Sequence, residues 1–275
     1  MVIGMLAKKI SRFLGRNCPY FKGKDRIMRF LYSPDQFKNL HAGEKFVTDY
    51  YGLKYDGITS NFIDWGVFFH GGLERALVNY LIEANTKENF DYFFDIGANS
   101  GTLSLPIAKS KKTKVICFEP LTHNFNKLIN NYKINDLYDE NVFYKLALSN
   151  KKDVSKIYYS NNHSNIGTAS LLDDYEDKNQ DTEEIKLEKL DSLYNFKNKK
   201  IIIKIDVEGY EKFVIEGSLN LLKDNKILMY LETSNKNLLS ELKKLKFEVF
   251  FYKFIHGKYF KSKEQIGMSV ILKNF

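Results

Sequence analysis

The stretch YFFDIGANSG, from Tyr92 to Gly101, constrains the fold more than any other part of the chain. Three aromatic residues are followed within seven positions by an aspartate, two glycines and an asparagine. A short apolar run of this kind reads as a buried strand. Gly97 and Gly101 then allow a tight turn, because glycine enters left-handed backbone without steric cost. A strand that stops at such a turn and passes into a helix, with its N–H groups free near Ser100, is half of a parallel βαβ unit. The pattern continues downstream. Apolar runs at 114–119, 142–148, 201–207 and 227–231 read as further strands. Helical spacing connects several of them, with Phe125, Leu128, Ile129 and Tyr132 on one stripe and Val214, Ile215, Leu221 and Leu222 on another. Almost wholly apolar strands joined by helices imply a parallel sheet covered on both faces. The runs 247–252 and 268–272 lack a helix between them, so they are expected to form an antiparallel pair at the end of the sheet. Residues 171–191 are acidic and polar, and read as an exposed insertion.

Upstream, three segments are expected: a basic extension over residues 1–40, a cap over 41–90, and the α/β domain over 91–275. Within the cap, 44–61 alternates around Gly52 and Gly57 as a hairpin does, and 74–84 has helical spacing. The 275 residues, 44% of them hydrophobic, suit one domain with an extension. The net charge of +8 is uneven: residues 1–30 hold eight basic side chains against Asp25 alone. Ile3, Leu6, Ile10 and Phe13 share one helical stripe, with Lys8, Arg12 and Arg16 roughly opposite. Such a helix suits peripheral contact with an anionic membrane. A helix packed on the domain, or a frayed terminus, is the plainer alternative. A nucleic-acid partner is not expected, because no binding motif accompanies the charge. The lysines follow a very short apolar stretch, unlike a secretion signal. No apolar run reaches the ~18 residues of a membrane span. Cys117 lies in an apolar strand and reads as an inert core thiol. With Cys18 it forms neither a disulfide framework nor a zinc spacing, so a reducing, cytoplasmic setting is expected.

An open parallel sheet binds ligands beyond the carboxyl ends of its strands. Glu119 closes the second strand, KVICFEP, where a carboxylate can accept both hydroxyls of a ribose. A glycine turn plus this acid indicates a nucleoside cofactor. The spacing is D-x-G-x-N-x-G instead of the dinucleotide G-x-G-x-x-G. Asn99 stands at the second-glycine position and Asp95 precedes the turn. A carboxylate and an asparagine suit a cationic ligand better than a pyrophosphate, and S-adenosylmethionine is such a ligand. A turn with a purely structural task is the alternative, and the strand–turn–helix context speaks against it. The fourth strand, IIIKIDVEGYE, carries Lys204, Asp206, Glu208 and Glu211 and is expected beside the first. Acids there need a partner, which a ligand ammonium, a metal, Lys204 or a substrate hydroxyl would provide. A solvated strand end before a helix N-terminus also tolerates them.

Together FDIGANSG, FEP, ALS and IKIDVEGYE, in this order, resemble the FkbM-type family of S-adenosylmethionine-dependent methyltransferases. The stretch YGLKYDGITSNFIDWGVFFHGGLERAL resembles the segment upstream of the cofactor motif, so the likeness covers residues 50–275. It implies the class I methyltransferase fold, an α/β, Rossmann-like, doubly wound sheet with an antiparallel last strand. It implies O-methylation of a hydroxyl on a small-molecule or glycan acceptor: a sugar, glycan, glycolipid or secondary metabolite. By the same likeness Asp95, Gly97, Asn99 and Gly101 hold the amino-acid part of the cofactor and Glu119 its ribose. The backbone of Leu146, Ala147 and Leu148 lies near the adenine, and Asp206 lines the methyl-transfer site. Candidates for a general base are Asp206, Glu208 and His163, the last in the polar loop NNHSNIGTASL. His70 in FFHGGLE is a rival, and Glu74 beyond it can help close the cofactor site. A divalent metal is conceivable where carboxylates cluster, although no His- or Cys-rich spacing supports one. The competing classes are an NAD-type oxidoreductase and a non-catalytic nucleoside-binding module.

Overall fold

A computed structural model describes residues 2–18, 21, 23–33, 43–160, 171, 180–255, 258–263 and 268–275. Two helices, α1 (Val2–Asn17) and α2 (Lys24–Leu31), open the chain. The hairpin β1 (Lys45–Tyr50) and β2 (Leu53–Ile58) follows, then α3 (Phe62–His70) and α4 (Arg75–Glu88). The hairpin forms because β1 alternates, with Phe46, Thr48 and Tyr50 inward. Tyr51 and Gly52 in its two-residue loop both have positive φ, as a type I′ turn requires. Asn61 caps α3 by accepting from the N–H groups of Ile63 and Asp64, and Gly71 ends it in left-handed backbone. In α1, Lys8, Arg12 and Arg16 turn toward the protein. Lys8 pairs with Glu44, Arg12 donates to Thr48 Oγ1 at 2.9 Å, and Arg16 donates to the carbonyls of Phe68 and Val67 at 2.9 and 2.8 Å.

The next elements are β3 (Tyr92–Ile96), α5 (Ser104–Ala108), β4 (Lys114–Phe118), α6 (Thr122–Lys133), β5 (Val142–Tyr144), β6 (Ala147–Leu148), β7 (Asp153–Ser160) and β8 (Gln180–Glu188). The chain continues through α7 (Leu190–Leu193), β9 (Lys200–Ile205), α8 (Glu211–Glu216), α9 (Leu219–Asp224), β10 (Lys226–Glu232), α10 (Lys236–Lys244), β11 (Glu248–Ile255), β12 (Lys258–Ser262) and β13 (Ser269–Lys273). The main sheet has the order β12-β11-β13-β10-β9-β3-β4-β5. Strands β5, β4, β3, β9 and β10 run parallel, and β13 is inserted antiparallel between β10 and β11. The chain winds outward from β3 through β4 to β5, then returns to β9 on the other side. The switch point therefore lies between β3 and β9. Each strand divides its side chains between two cores. Phe93, Val115, Cys117 and Ile202 pack toward α4, α5 and α6, whereas Phe94, Ile116, Ile201 and Ile203 pack toward α8, α9 and α10. Burial pushes the Cys117 thiol up.

Four expectations about local structure are corrected. The segment 171–191 contains β8, which pairs with β7 and buries Ile185 and Leu187 against Ile157 and Leu121. Glu184, Lys186 and Glu188 alternate with Ile185 and Leu187, while Asp181 and Glu183 share their face nearer the strand's start, so composition alone concealed a strand. The run 142–148 divides, with β5 in the main sheet and β6 in the small sheet β6-β8-β7. The helical pattern 210–222 is broken into α8 and α9 at Gly217, where a Cβ would meet Ser149 O at 1.9 Å. The helix after the glycine turn starts at Ser104 instead of Ser100, so it does not present its first N–H groups directly behind the strand.

One buried network ties the cap to the glycine turn. Tyr55 in β2 donates to Asp64 Oδ1 at 2.7 Å and accepts from Ser100 Oγ at 2.8 Å. The Ile58 N–H donates to Asp64 Oδ2 at 2.8 Å, and Lys127 in α6 pairs with the same carboxylate. Asn131 donates to the Ser100 carbonyl at 3.0 Å and accepts from the Asp56 N–H at 2.9 Å. Removing Asp64, which is fully buried, strands an ammonium and a phenol. Asp64→Ala should therefore lower stability by about 3–5 kcal/mol. In urea unfolding the midpoint should fall while the slope is kept; a loss under about 1 kcal/mol would show that the network does not hold the cap.

Candidate active site

The site begins with a lysine inside a strand. Lys204 interrupts the apolar run of β9, directly beside Asp95 of β3 in register. Its Nζ donates to the Gly97 carbonyl at 2.5 Å. It lies 3.4 Å from Asp95 Oδ1 and 3.6 Å from Asp206 Oδ2. Both Lys204 and Asp95 are buried. Neither Asp95 oxygen has a hydrogen bond, so the ammonium is its compensation. Burial works against the Lys204 charge, but Asp95, Asp206 and Glu74 outweigh it and hold the ammonium above its ordinary pKa.

The turn is built on that anchor. Gly97 has φ +76°, and a Cβ there would sit 2.0 Å from Asp206 O. The two strand ends can approach so closely only because the residue is glycine. Asn99 is also left-handed, at φ 50°. Asparagine tolerates that conformation, which explains how it occupies a position that dinucleotide motifs give to glycine. Its N–H donates to Glu119 Oε2 at 2.8 Å, and the Leu121 N–H donates to Glu119 Oε1 at 3.0 Å. Burial pushes the Glu119 carboxyl up to about 7, against the opposing pull of those two N–H groups.

At this switch point lies a cavity of about 390 Å³. Gly97, Ala98 and Asn99 form one wall. Phe118, Leu121, Leu148 and Ile157 give an apolar stretch beside Glu119. Glu74, Asp206, Glu208 and Glu232 line the same cavity, with Lys204 as their shared cation. Glu74 is exposed and lines the cavity. Burial first, then Asp206, pushes both Glu74 and Glu232 up to about 7. Burial and Asp206 raise Glu208 as well. At about 7, Glu74 and Glu232 sit between their charged and neutral forms near neutral pH.

The structure brings seven of the expected residues to this cavity: Gly97, Asn99, Glu119, Ala147, Glu74, Asp206 and Glu208. Asp95 lies behind it and acts on it through Lys204. Gly101, at φ +82°, is a packing position, where a Cβ would meet Leu128 of α6 at 2.7 Å. Glu211 accepts from the Gly209 N–H at 2.8 Å. His70 ends α3, its ring 5.1 Å from that of Trp65, and does not line the cavity. His163 lies outside the described residues. Glu232 escaped the sequence reading, although ILMYLE carries the same signal as Glu119, a carboxylate that closes an apolar strand. Among the described residues, no group of His, Cys, Asp or Glu is arranged to hold a metal ion.

S-adenosylmethionine fits this donor set. Each Glu119 oxygen accepts one N–H and keeps a lone pair for a ribose hydroxyl. The apolar stretch suits a purine face, and the acids suit a cationic ligand. A pyrophosphate would instead meet several carboxylates, which argues against a dinucleotide. The fold and the site together define an S-adenosylmethionine-dependent methyltransferase of class I architecture. Residues 95–249, more than half of the chain, match the methyltransferase FkbM domain, and the chain belongs to that family. Solved structures are similar at low identity. Magnesium protoporphyrin IX methyltransferase from Synechocystis PCC 6803, with bound SAM, has 9% identity and a TM-score of 0.44, covering 98% of this chain and 97% of that one. A SAM-dependent O-methyltransferase from Thermotoga maritima has 11% identity and a TM-score of 0.39, over 84% and 77%. Ribosomal protein L11 methylase from Lactobacillus delbrueckii subsp. bulgaricus has 15% identity and a TM-score of 0.35, over 72% and 75%. At these values the likenesses carry no argument about the acceptor. No curated protein matches the chain.

Two outcomes follow from the charges. Lys204→Met leaves Asp95 and Asp206 without their ammonium, so stability at neutral pH should drop by about 3–5 kcal/mol. Adding Asp95→Asn should recover part of that loss, and strict additivity of the two changes in thermal melts would refute the pairing. Ribose hydroxyls donate to the charged form of Glu119. Ligand binding should therefore pull its pKa down from about 7, and affinity for S-adenosylhomocysteine should rise as pH increases through that value. Calorimetry across this window should show the dependence in the wild type and a flatter profile in Glu119→Gln; identical profiles would remove Glu119 from the ribose site.

Proposed function

We propose that this methyltransferase transfers its methyl group to a hydroxyl oxygen of a small-molecule or glycan acceptor. The observation that carries the reading is the group of four carboxylates beside the cofactor cradle. A hydroxyl donates hydrogen bonds to such groups and surrenders its proton to one of them. A phosphate or carboxylate acceptor would be repelled, and nucleic acid is disfavoured for the same reason. When bound, S-adenosylmethionine supplies an electrophilic methyl carbon. The residues of this chain hold the acceptor oxygen in line and take its proton.

Asp206 is the proposed base. Lys204 lies 3.6 Å from one of its oxygens, which keeps the carboxylate oriented. Glu232 lines the same cavity, and burial and the neighbouring Asp206 charge push its carboxyl up to about 7. An acceptor hydroxyl that donates to Asp206 can pass its proton to that carboxylate as its oxygen takes the methyl group. Glu208, and His163 outside the described residues, are the other candidates.

Asp206→Asn keeps the size and removes the charge. Turnover at saturation should fall ~10²–10⁴-fold, as for a lost general base, while affinity for S-adenosylhomocysteine stays within a few-fold. Weakened binding with intact turnover would instead mean that Asp206 holds the cofactor ammonium. Methylation should also rise with pH through about 7, where Glu74 and Glu232 lose their protons. An acceptor screen with a labelled methyl donor, sugars against amines and nucleic acids, tests the substrate class: product on an amine or nucleic acid alone would overturn it.

A further inference from the structure

The two N-terminal helices pack on the domain and still leave large apolar side chains on their outer faces. In α1 the fully buried residues are small, basic side chains turn inward beside them, and Leu14 packs on the core. Ser11 and Gly15 are buried, and Gly15 lies so close to α3 that a Cβ would stand 2.1 Å from Phe69 O. Arg12 and Arg16 fasten this face through Thr48 and the carbonyls of Phe68, Val67 and Asp49. The Arg12 guanidinium also lies 4.4 Å from the Phe68 ring centroid. With these bonds in place α1 cannot rotate. Its outward face is therefore Leu6, Lys9, Ile10 and Phe13, with Leu6 57% and Phe13 62% exposed.

Helix α2 differs in burying large apolar side chains, but it too leaves others on its outer face. Lys24 is buried and donates to the carbonyls of Gly15 and Cys18 at 3.0 and 2.6 Å, which locks α2 to α1. Met28 and Tyr32 point inward, while Ile27 is exposed and Phe30 is 89% exposed. Five of the thirteen exposed large apolar side chains among the described residues lie on α1 and α2, and a sixth, Phe21, lies between them, so the exposure is concentrated here. Lys9, Arg26 and Arg29 are exposed on the same two helices.

We propose that α1 and α2 form an in-plane anchor that seats the enzyme on an anionic membrane surface. Leu6, Ile10, Phe13, Ile27 and Phe30 enter the apolar layer, and Lys9, Arg26 and Arg29 meet the lipid headgroups. Apolar insertion combined with cationic flanks is what anionic bilayers select. A second copy of the chain is a poor occupant, because the exposed charges described on these two helices, Lys9, Arg26 and Arg29, are all basic and two such faces repel. Nucleic acid would leave the phenylalanines without a use. The anchor also adjoins the active site: the Arg29 guanidinium lies 5.1 Å from the ring centroid of Phe62, and Phe62 lines the cavity. A membrane under these helices thus lies close to one wall of the methyl-transfer site.

The test uses the full chain and sedimentation with vesicles of phosphatidylcholine, with and without phosphatidylserine. The wild type should pellet with the anionic vesicles, and about tenfold or more weakly with phosphatidylcholine alone or in high salt. Phe13→Ser with Phe30→Ser should weaken binding by about tenfold or more, given the transfer free energy of a phenylalanine side chain. Both positions are exposed, so thermal melting and S-adenosylhomocysteine binding should be unchanged. Lys9→Glu with Arg26→Glu should reduce binding to the anionic vesicles only. The proposal falls if the wild type ignores every vesicle, or if the serine variant pellets like the wild type. It also falls if light scattering shows a dimer that this variant abolishes while vesicles have no effect.

Discussion

The ammonium of Lys204 is the interaction on which the rest of the site depends. A charge in the middle of a buried parallel strand is costly unless it is paired, and here three groups converge on it. Asp95 belongs to the neighbouring strand, the Gly97 carbonyl to the turn that follows, and Asp206 to the end of the lysine's own strand. One cation therefore holds the two sides of the switch point in a single geometry. The close approach of Gly97 to the Asp206 backbone belongs to the same arrangement. Without the ammonium, Asp95 would be a buried charge with neither oxygen hydrogen-bonded.

Around this anchor the protein distributes its remaining carboxylates by environment. Glu119 is held by two backbone N–H groups and faces the apolar part of the cavity, whereas Glu74, Asp206, Glu208 and Glu232 face one another. Burial and mutual repulsion lift Glu74 and Glu232 to about 7. Acids that would be permanently charged in water become groups that exchange protons under physiological conditions. The cap contributes more than cover. It supplies Glu74 and Phe62 to the cavity, and through Tyr55, Asp64 and Ser100 it braces the glycine turn from behind.

The proposed acceptor and the proposed anchor are separate readings that share one surface. The anchor rests on the exposed faces of α1 and α2, and the acceptor class on the acids of the cavity. They meet at Phe62, touched by Arg29 on one side and by the cavity on the other. If both hold, the glycolipid or glycan acceptors among those considered would reach the cavity from the side that faces the bilayer.

Much of the parallel sheet was legible in the sequence, because its strands are short apolar runs and its helices have clear spacing. The glycine turn and the acids closing two strands were legible for a related reason: at those positions backbone geometry and charge leave few alternatives. The sequence also pointed to the class of cofactor through the motifs it shares with the FkbM family, whereas the structure shows that the Asp95 charge is taken up by Lys204 behind the cavity. Tertiary structure decided the rest. Strand β8 was hidden because its acids outnumber Ile185 and Leu187, and only pairing with β7 shows that those two are buried. The sequence divided α1 into an apolar and a basic stripe, but could not say which one faced the domain. Small residues and the carbonyls of α3 decided that, because guanidinium groups that find backbone acceptors offset their burial. Glu232 became part of the site only when the winding of the sheet carried the end of β10 to the same crevice as β3 and β9, a proximity set by long-range packing and not by any local preference of the chain.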